Sequence, residues 1–220
     1  MNNTQLFQNL PFLKVIAGIE NFDAGNIREV ASAAQGIAAA IDVSVDEASV
    51  RWIKANTDLQ VFVSSLDPKA LANSLEWGTD WVELGNFQPI YDRGAVINPD
   101  MVMTWSQELV SLVKGKAGIC VTLPGILDLK AQIALAQELE ALGVDLLQIE
   151  NISGDVSHVA PIQAAVNIPV MLSGKLHQNN LSEAMETGAE AFGVGAAIRK
   201  ADDMRTYIQG LQDQLQAVRV

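Results

Sequence analysis

The chain has 220 residues, 49% hydrophobic and 18% charged, which excludes a disordered polymer. It fits one domain with a sizeable core. Its 14 basic and 26 acidic residues leave a formal net charge of −12. Such a surface repels nucleic-acid phosphates and anionic membranes, so neither is expected as a partner. A single cysteine, Cys120, excludes an intramolecular disulfide. No apolar run reaches the roughly 18 residues of a membrane span, and residues 1–5 carry no basic, apolar leader. A cytoplasmic protein is expected; nothing in these figures sets an oligomeric state.

Along the chain, short apolar runs alternate with longer amphipathic stretches. The first run, 12–17 (FLKVIA), predicts a strand, and 26–35 a helix. A strand at 37–43 and a helix at 46–56 come next. Then follow a strand at 61–65, a helix at 67–77, and a strand at 80–85. A long connection, 86–98, leads into a helix at 98–114 and has the length of a lid or binding loop. The remaining strands are predicted at 117–122, 144–150, 168–173 and 191–195. Helices are predicted at 128–141, 155–166, 180–188 and 202–217. Asp67-Pro68 and Asn98-Pro99 supply an N-cap and a first-turn proline. Gly78, Gly143 and Gly188 each close a helix ahead of a strand, where a left-handed residue is wanted.

Eight uninterrupted β/α units predict a single (β/α)8 barrel of the TIM type over residues 1–220. An open doubly wound sheet would use fewer strands and place its glycine-rich loop after the first. Here the glycines fall after the last two strands: Ser173-Gly174-Lys175, then Gly193-Val194-Gly195-Ala196. In such barrels the loops after strands seven and eight often hold a phosphate on backbone N–H groups, backed by a short extra helix. Ser173, Gly174, Lys175, Gly193, Gly195 and Ala196 are therefore the candidate phosphate-binding residues, and a small phosphorylated ligand is the expected partner. Lys175 stands where a second glycine would be easier to accommodate. As a lysine it resists positive φ, so this loop is expected to donate differently, or its ammonium to touch the phosphate.

Strand alternation turns some polar residues inward. Lys14 lies between Leu13 and Val15 and needs a carboxylate partner if buried. Asp42, Glu83 and Glu150 are the candidates. Together these four form a candidate catalytic set, with Lys14 as general acid, imine nucleophile or electrostatic anchor. An interior salt bridge that only fills the barrel is the competing reading. Asn21, Asn86, Thr122 and Gln148 are second-tier ligand contacts. His158 and His177 show no metal-ligand spacing, so no metal site is expected; His177 lies close to the phosphate loop. Cys120 reads as inert core, and Trp52, Trp77, Trp81 and Trp105 as packing.

Leu13-Lys14-Val15-Ile16-Ala17-Gly18 with Asn21-Phe22-Asp23, and Val63-Ser64-Ser65, resemble an uncharacterised conserved reading frame of algal plastids and cyanobacteria. Glu83-Leu84-Gly85-Asn86-Phe87, Gln148-Ile149-Glu150 and Gly193-Val194-Gly195 extend the resemblance over nearly the whole chain. That family is regarded as a phosphate-binding TIM-type barrel of unknown function. The resemblance implies this fold, a cytoplasmic or stromal location, and family positions at Lys14, Glu83, Asn86, Gln148 and Glu150. It implies no reaction. The short Asn151-Ile152-Ser153-Gly154 turn and Lys175 depart from the family pattern.

Three functions fit. The first is a lyase, isomerase or synthase acting on a phosphorylated metabolite. The second is a non-catalytic phosphometabolite binder or assembly protein. The third is an enzyme of flavin mononucleotide (FMN), whose phosphate the same corner would grip. No cofactor is firmly implied.

Overall fold

The structure, a computed structural model, describes residues 4–8 and 10–217. It opens with the short helix α1 (Thr4–Phe7), then β1 (Phe12–Gly18), α2 (Ala24–Ala34), β2 (Ala40–Ser44), α3 (Glu47–Asn56) and β3 (Gln60–Ser65). Next come α4 (Pro68–Asn73) with a 3-10 turn to Trp77, β4 (Trp81–Leu84), α5 (Gln88–Tyr91), α6 (Pro99–Val113) and β5 (Gly118–Leu123). The chain continues through α7 (Leu129–Leu142), β6 (Leu146–Glu150), α8 (Val159–Gln163), β7 (Val170–Ser173), α9 (Leu181–Met185), β8 (Ala191–Val194), α10 (Ala196–Arg199) and α11 (Met204–Ala217). The eight strands are parallel and close in sequence order, with β8 pairing back onto β1.

The strands hold because they are apolar on their outer face. Val15, Val43, Val63, Val82, Val121, Ile149, Leu172 and Val194 all lie buried in the layer between sheet and helices. The helices start where short acceptors meet free backbone donors. Asp23, Asp46, Asp67, Asn98 and Asp128 cap α2, α3, α4, α6 and α7 through their side chains. Gly143 ends α7 at φ 95°, in the left-handed conformation that a Cβ would disfavour.

Inside the barrel the bottom layer is apolar: Phe12, Ala40, Phe62, Trp81, Cys120, Leu146, Met171 and Ala191. Phe62 stacks on Trp81 at 5.1 Å, and Phe7 of α1 meets Trp81 edge-on at 5.5 Å. Helix α1 therefore caps the lower end of the barrel, a role the sequence pattern did not predict. With this end filled, the opposite end, at the C-terminal ends of the strands, is left for a ligand.

Element boundaries differ from the sequence reading where backbone chemistry intervenes. β2 begins at Ala40 because Ile37 and Ala38 still donate to Ala34 O, finishing a turn. α8 spans only Val159–Gln163. A helix starting at 155 would bury Pro161 in its interior, where it lacks the N–H; Asp155 instead forms a local turn with Ser157 N at 2.9 Å. The long connection after β4 is partly helical, because α5 forms there with Pro89 in its first turn.

Candidate functional site

A cavity of about 790 Å³ opens at the C-terminal ends of the strands. It is offset toward one side: β1, β6, β7 and β8 with the loops after them line it, together with the segment after β4. Gln148 and Asn86 lie at its floor, with Ser173, Gly174, Lys175, His177, Gly193, Gly195, Ala196, Arg199 and Lys200 along one wall. Glu150, Gln88 and Asp92 also line it, and Asn151 adjoins the Ser173–Gly174 turn.

The β7 and β8 turns meet at this wall. Gly174 has φ 102°, and a Cβ there would stand 2.5 Å from Asn151 O. Gly195 is less crowded: a Cβ would stand 3.0 Å from Ile16 O and from the Arg199 guanidinium. At Gly174 only glycine allows the backbone to pack so closely at positive φ, and at Gly195 any Cβ would press on Ile16 and Arg199. Lys175 does adopt positive φ, at 53°, against the sequence expectation. Asn180 Nδ2 donates to Lys175 O at 3.0 Å and helps hold it there. Gly195 precedes α10 with no side-chain cap bond, as the sequence suggested for a short helix after β8.

Charge is distributed unevenly. Among the described residues, Lys175, Arg199 and Lys200 form no ion pair. Arg199 donates only to a neutral acceptor, Ile16 O at 2.5 Å. These three cations share the cavity lining with Glu150 and Asp92, and the buried Asp42 acts electrostatically on Arg199.

Beneath the floor lies a polar network that is buried except at Asn86. Lys14 Nζ donates to Glu83 Oε2 and, at 2.9 Å, to Gln148 Oε1, with the Phe62 ring 4.8 Å away. Gln148 Nε2 donates to Glu83 Oε1 at 2.8 Å and Thr122 Oγ1 at 3.0 Å. Asn86, held at φ 62°, donates to Asp42 Oδ2 at 3.2 Å and to Ser64 Oγ and Glu83 Oε1 at 3.0 Å each. Ser64 donates to Asp42 Oδ1. Burial alone would depress the Lys14 pKa, but Glu83, Asp42 and Cys120 together hold it above its usual value. Asp42 is pushed up to about 7, first by burial and then by Glu83, against the pull of Lys14. The Cys120 thiol is raised well above normal by burial and by Glu83, which keeps it an inert thiol.

The predicted residues therefore fall into three places. Glu150, Ser173, Gly174, Lys175, Gly193, Gly195, Ala196, Asn86 and Gln148 line the cavity. Lys14, Asp42, Glu83 and Thr122 are wholly buried and lie outside its lining. Lys14 is sealed, bonded to Glu83 and Gln148 and away from the cavity lining, a placement that suits the electrostatic-anchor reading better than the imine-nucleophile one. Asn21 is spent on its own loop, donating to Ala17 O and Asn26 Oδ1. Glu150 is no partner of Lys14. Its carboxylate accepts from Gln88 N at 2.8 Å and Gly125 N at 3.3 Å, tying the β4 and β5 loops to β6. Burial raises its pKa, against the lowering effect of those N–H donors and Tyr91. Arg199 and Asn151 were missed. Arg199 stands one helical turn beyond Gly195, a spacing that could have exposed it.

Among the described residues no group of three or more His, Cys, Asp or Glu side chains is placed to hold a metal ion. No helix among them is long and apolar enough to cross a membrane.

A family model described as "Protein of unknown function (DUF561)" matches residues 2–220. The uncharacterized protein ycf23 of Antithamnion sp. is 34% identical over 226 residues, covering 89% of this chain and 81% of that protein. Among solved structures, a 3-hexulose-6-phosphate synthase superposes with TM-score 0.73 at 17% identity, covering 93% of this chain and 99% of its own. Thiamine phosphate pyrophosphorylase from Pyrococcus furiosus gives 0.69 at 19% identity, with 94% and 96% covered. At such identities the likeness is one of fold.

Proposed function

The chain belongs to the DUF561 family of proteins of unknown function, and we propose that it binds a small phosphorylated metabolite in the barrel mouth and performs acid–base chemistry on it. The reaction class is that of an isomerase, lyase or synthase. The observation that carries this reading is that Lys175, Arg199 and Lys200, none of them in a salt bridge among the described residues, line the cavity with the glycine turns at Gly174 and Gly195 in a chain of net charge −12. A dianionic ester suits that wall, because close-packed backbone donors and cations favour oxyanions over neutral groups. Two barrels of the same fold are named for phosphate esters, in keeping with the reading.

With the phosphate seated there, the rest of the ligand faces Glu150. This carboxyl lines the cavity, is almost wholly buried, and has an elevated proton affinity, as a general acid–base group needs. Lys14, Glu83 and Asp42 act from below as an electrostatic anchor that fixes Gln148 and Asn86, the two amides of the floor.

The test is a titration with ribose 5-phosphate, FMN, ribose and riboflavin, followed by calorimetry. The phosphorylated compounds should bind at least about tenfold more tightly than their parents, and Arg199→Ala should remove most of that difference. Equal binding of each pair would end the proposal. Tight FMN binding with a yellow product would select the flavin reading. Deuterium uptake from D2O into a bound ester, lost in Glu150→Gln, tests the chemistry. Binding without exchange or turnover would instead favour the non-catalytic binder.

A further inference from the structure

Asn151 directly follows β6 and carries an unanswered donor. The residue is 2% exposed and belongs to the cavity lining. Its Oδ1 is occupied, accepting from Gly154 N at 2.8 Å, which fixes which end of the amide is which. Its Nδ2 has no hydrogen-bond partner. Other buried side-chain atoms share that condition, including Ser49 Oγ, Ser106 Oγ and His158 Nε2, but Asn151 is the residue among them that lines the cavity. A buried amide N–H without an acceptor costs stability, and a binding site is one place where that cost is recovered.

The backbone fixes where this donor sits. Asn151 N donates to Ser173 O at 2.7 Å, and Asn151 O is the atom a Gly174 Cβ would strike. Asn151 therefore stands between Glu150, the residue before it, and the Ser173–Lys175 turn. The turn side of this position already holds Lys175 and the glycine backbone for an anion. A neutral NH2 group next to it matches a neutral oxygen, a hydroxyl or carbonyl, on the carbon chain just beyond a phosphate.

We propose that Asn151 is a specificity residue: it donates to an oxygen of the ligand's carbon chain, so the ligand class is a phosphorylated polyol or sugar rather than any phosphate monoester. This rests on the reading of the cavity as a phosphate-ester site. The test compares ribose 5-phosphate with ethyl phosphate, which has the same monoester and no further oxygen, on the intact protein. Two variants are used. Asn151→Asp keeps the acceptor for Gly154 N–H and removes the donor; Asn151→Ala removes both and introduces no charge.

The wild-type protein is expected to favour ribose 5-phosphate by about tenfold or more, the worth of one well-placed hydrogen bond. Both variants should lose most of that preference; Asn151→Ala should leave ethyl phosphate affinity within about twofold, Asn151→Asp should in addition weaken both esters through its charge, and thermal unfolding without ligand should stay cooperative. Variants that keep the wild-type preference, or that weaken both probes equally, overturn the assignment of Asn151 and leave the phosphate site standing. A wild-type protein that binds neither ester overturns the phosphate site, and the assignment with it.

Discussion

Replacing Lys14 with methionine isolates the buried network. Methionine fills similar volume, so little of the effect comes from a cavity. What is lost is the one cation between Glu83 and Asp42, all three 0% exposed, together with the donor to Gln148 Oε1. Removing one partner of a buried pair costs about 3–5 kcal/mol, because the remaining charge stays desolvated. For a domain of this length each kcal/mol lowers Tm by about 2–4 °C, so Lys14→Met should melt about 6–20 °C below wild type. Adding Glu83→Gln removes the stranded charge while its amide oxygen still accepts from Gln148 Nε2 and Asn86 Nδ2. The double variant should therefore recover more than half of the loss, a coupling of about 2 kcal/mol or more. Thermal and urea unfolding of all four forms closes the cycle. Because Lys14 reaches the cavity only through Gln148, ribose 5-phosphate affinity measured well below Tm should fall by no more than about tenfold, the worth of one loosened hydrogen bond. A Lys14→Met protein that melts with wild type, or that keeps its stability and loses the ligand, refutes this account of the network.

Three further outcomes follow from the same geometry. Gly174→Ala must place a Cβ 2.5 Å from a backbone oxygen at φ 102°, so it should lose about 1–3 kcal/mol in unfolding experiments and weaken ribose 5-phosphate as the turn shifts. Lys175→Gly relieves a non-glycine residue at φ 53°; it should melt at or above the wild-type temperature yet bind ribose 5-phosphate about three- to tenfold more weakly. Asp42, raised from 3.8 to about 7 by burial and Glu83, favours the fold most when protonated. Its contribution is complete below pH 4 and is lost as pH rises through about 7. The stability of wild type relative to Asp42→Asn should therefore fall between pH 4 and 7 and level off above, in melts run across that range; a difference that rises with pH contradicts the assignment.

The barrel was legible because each level of the sequence agreed: outward Val and Ile on every strand, Asp or Asn caps on the longer helices, and glycines at helix ends. What escaped depended on context that periodicity does not carry. Helix α8 is short because Pro161 sits where a longer helix needs an N–H. Helix α1 is four residues long, and its purpose, covering Trp81, exists only once the barrel has closed. In the site, the two glycine turns were visible as motifs. Alternation also turned Lys14, Glu83, Gln148 and Glu150 inward, but their height along the axis depends on the shear of the closed sheet. That height separates Glu150, at the cavity, from Lys14, beneath its floor. Arg199 lay hidden in a four-residue helix too short to show a pattern, and Asn151 in a donor that matters only because nothing answers it.

The most direct test of the central claim is a crystal structure with ribose 5-phosphate soaked at several concentrations. The phosphate should lie between Gly174 and Gly195, within hydrogen-bond reach of Arg199 or Lys175, with the carbon chain directed toward Glu150. A fully occupied ligand whose phosphate lies elsewhere in the mouth, or an empty mouth at saturating concentration, would contradict it.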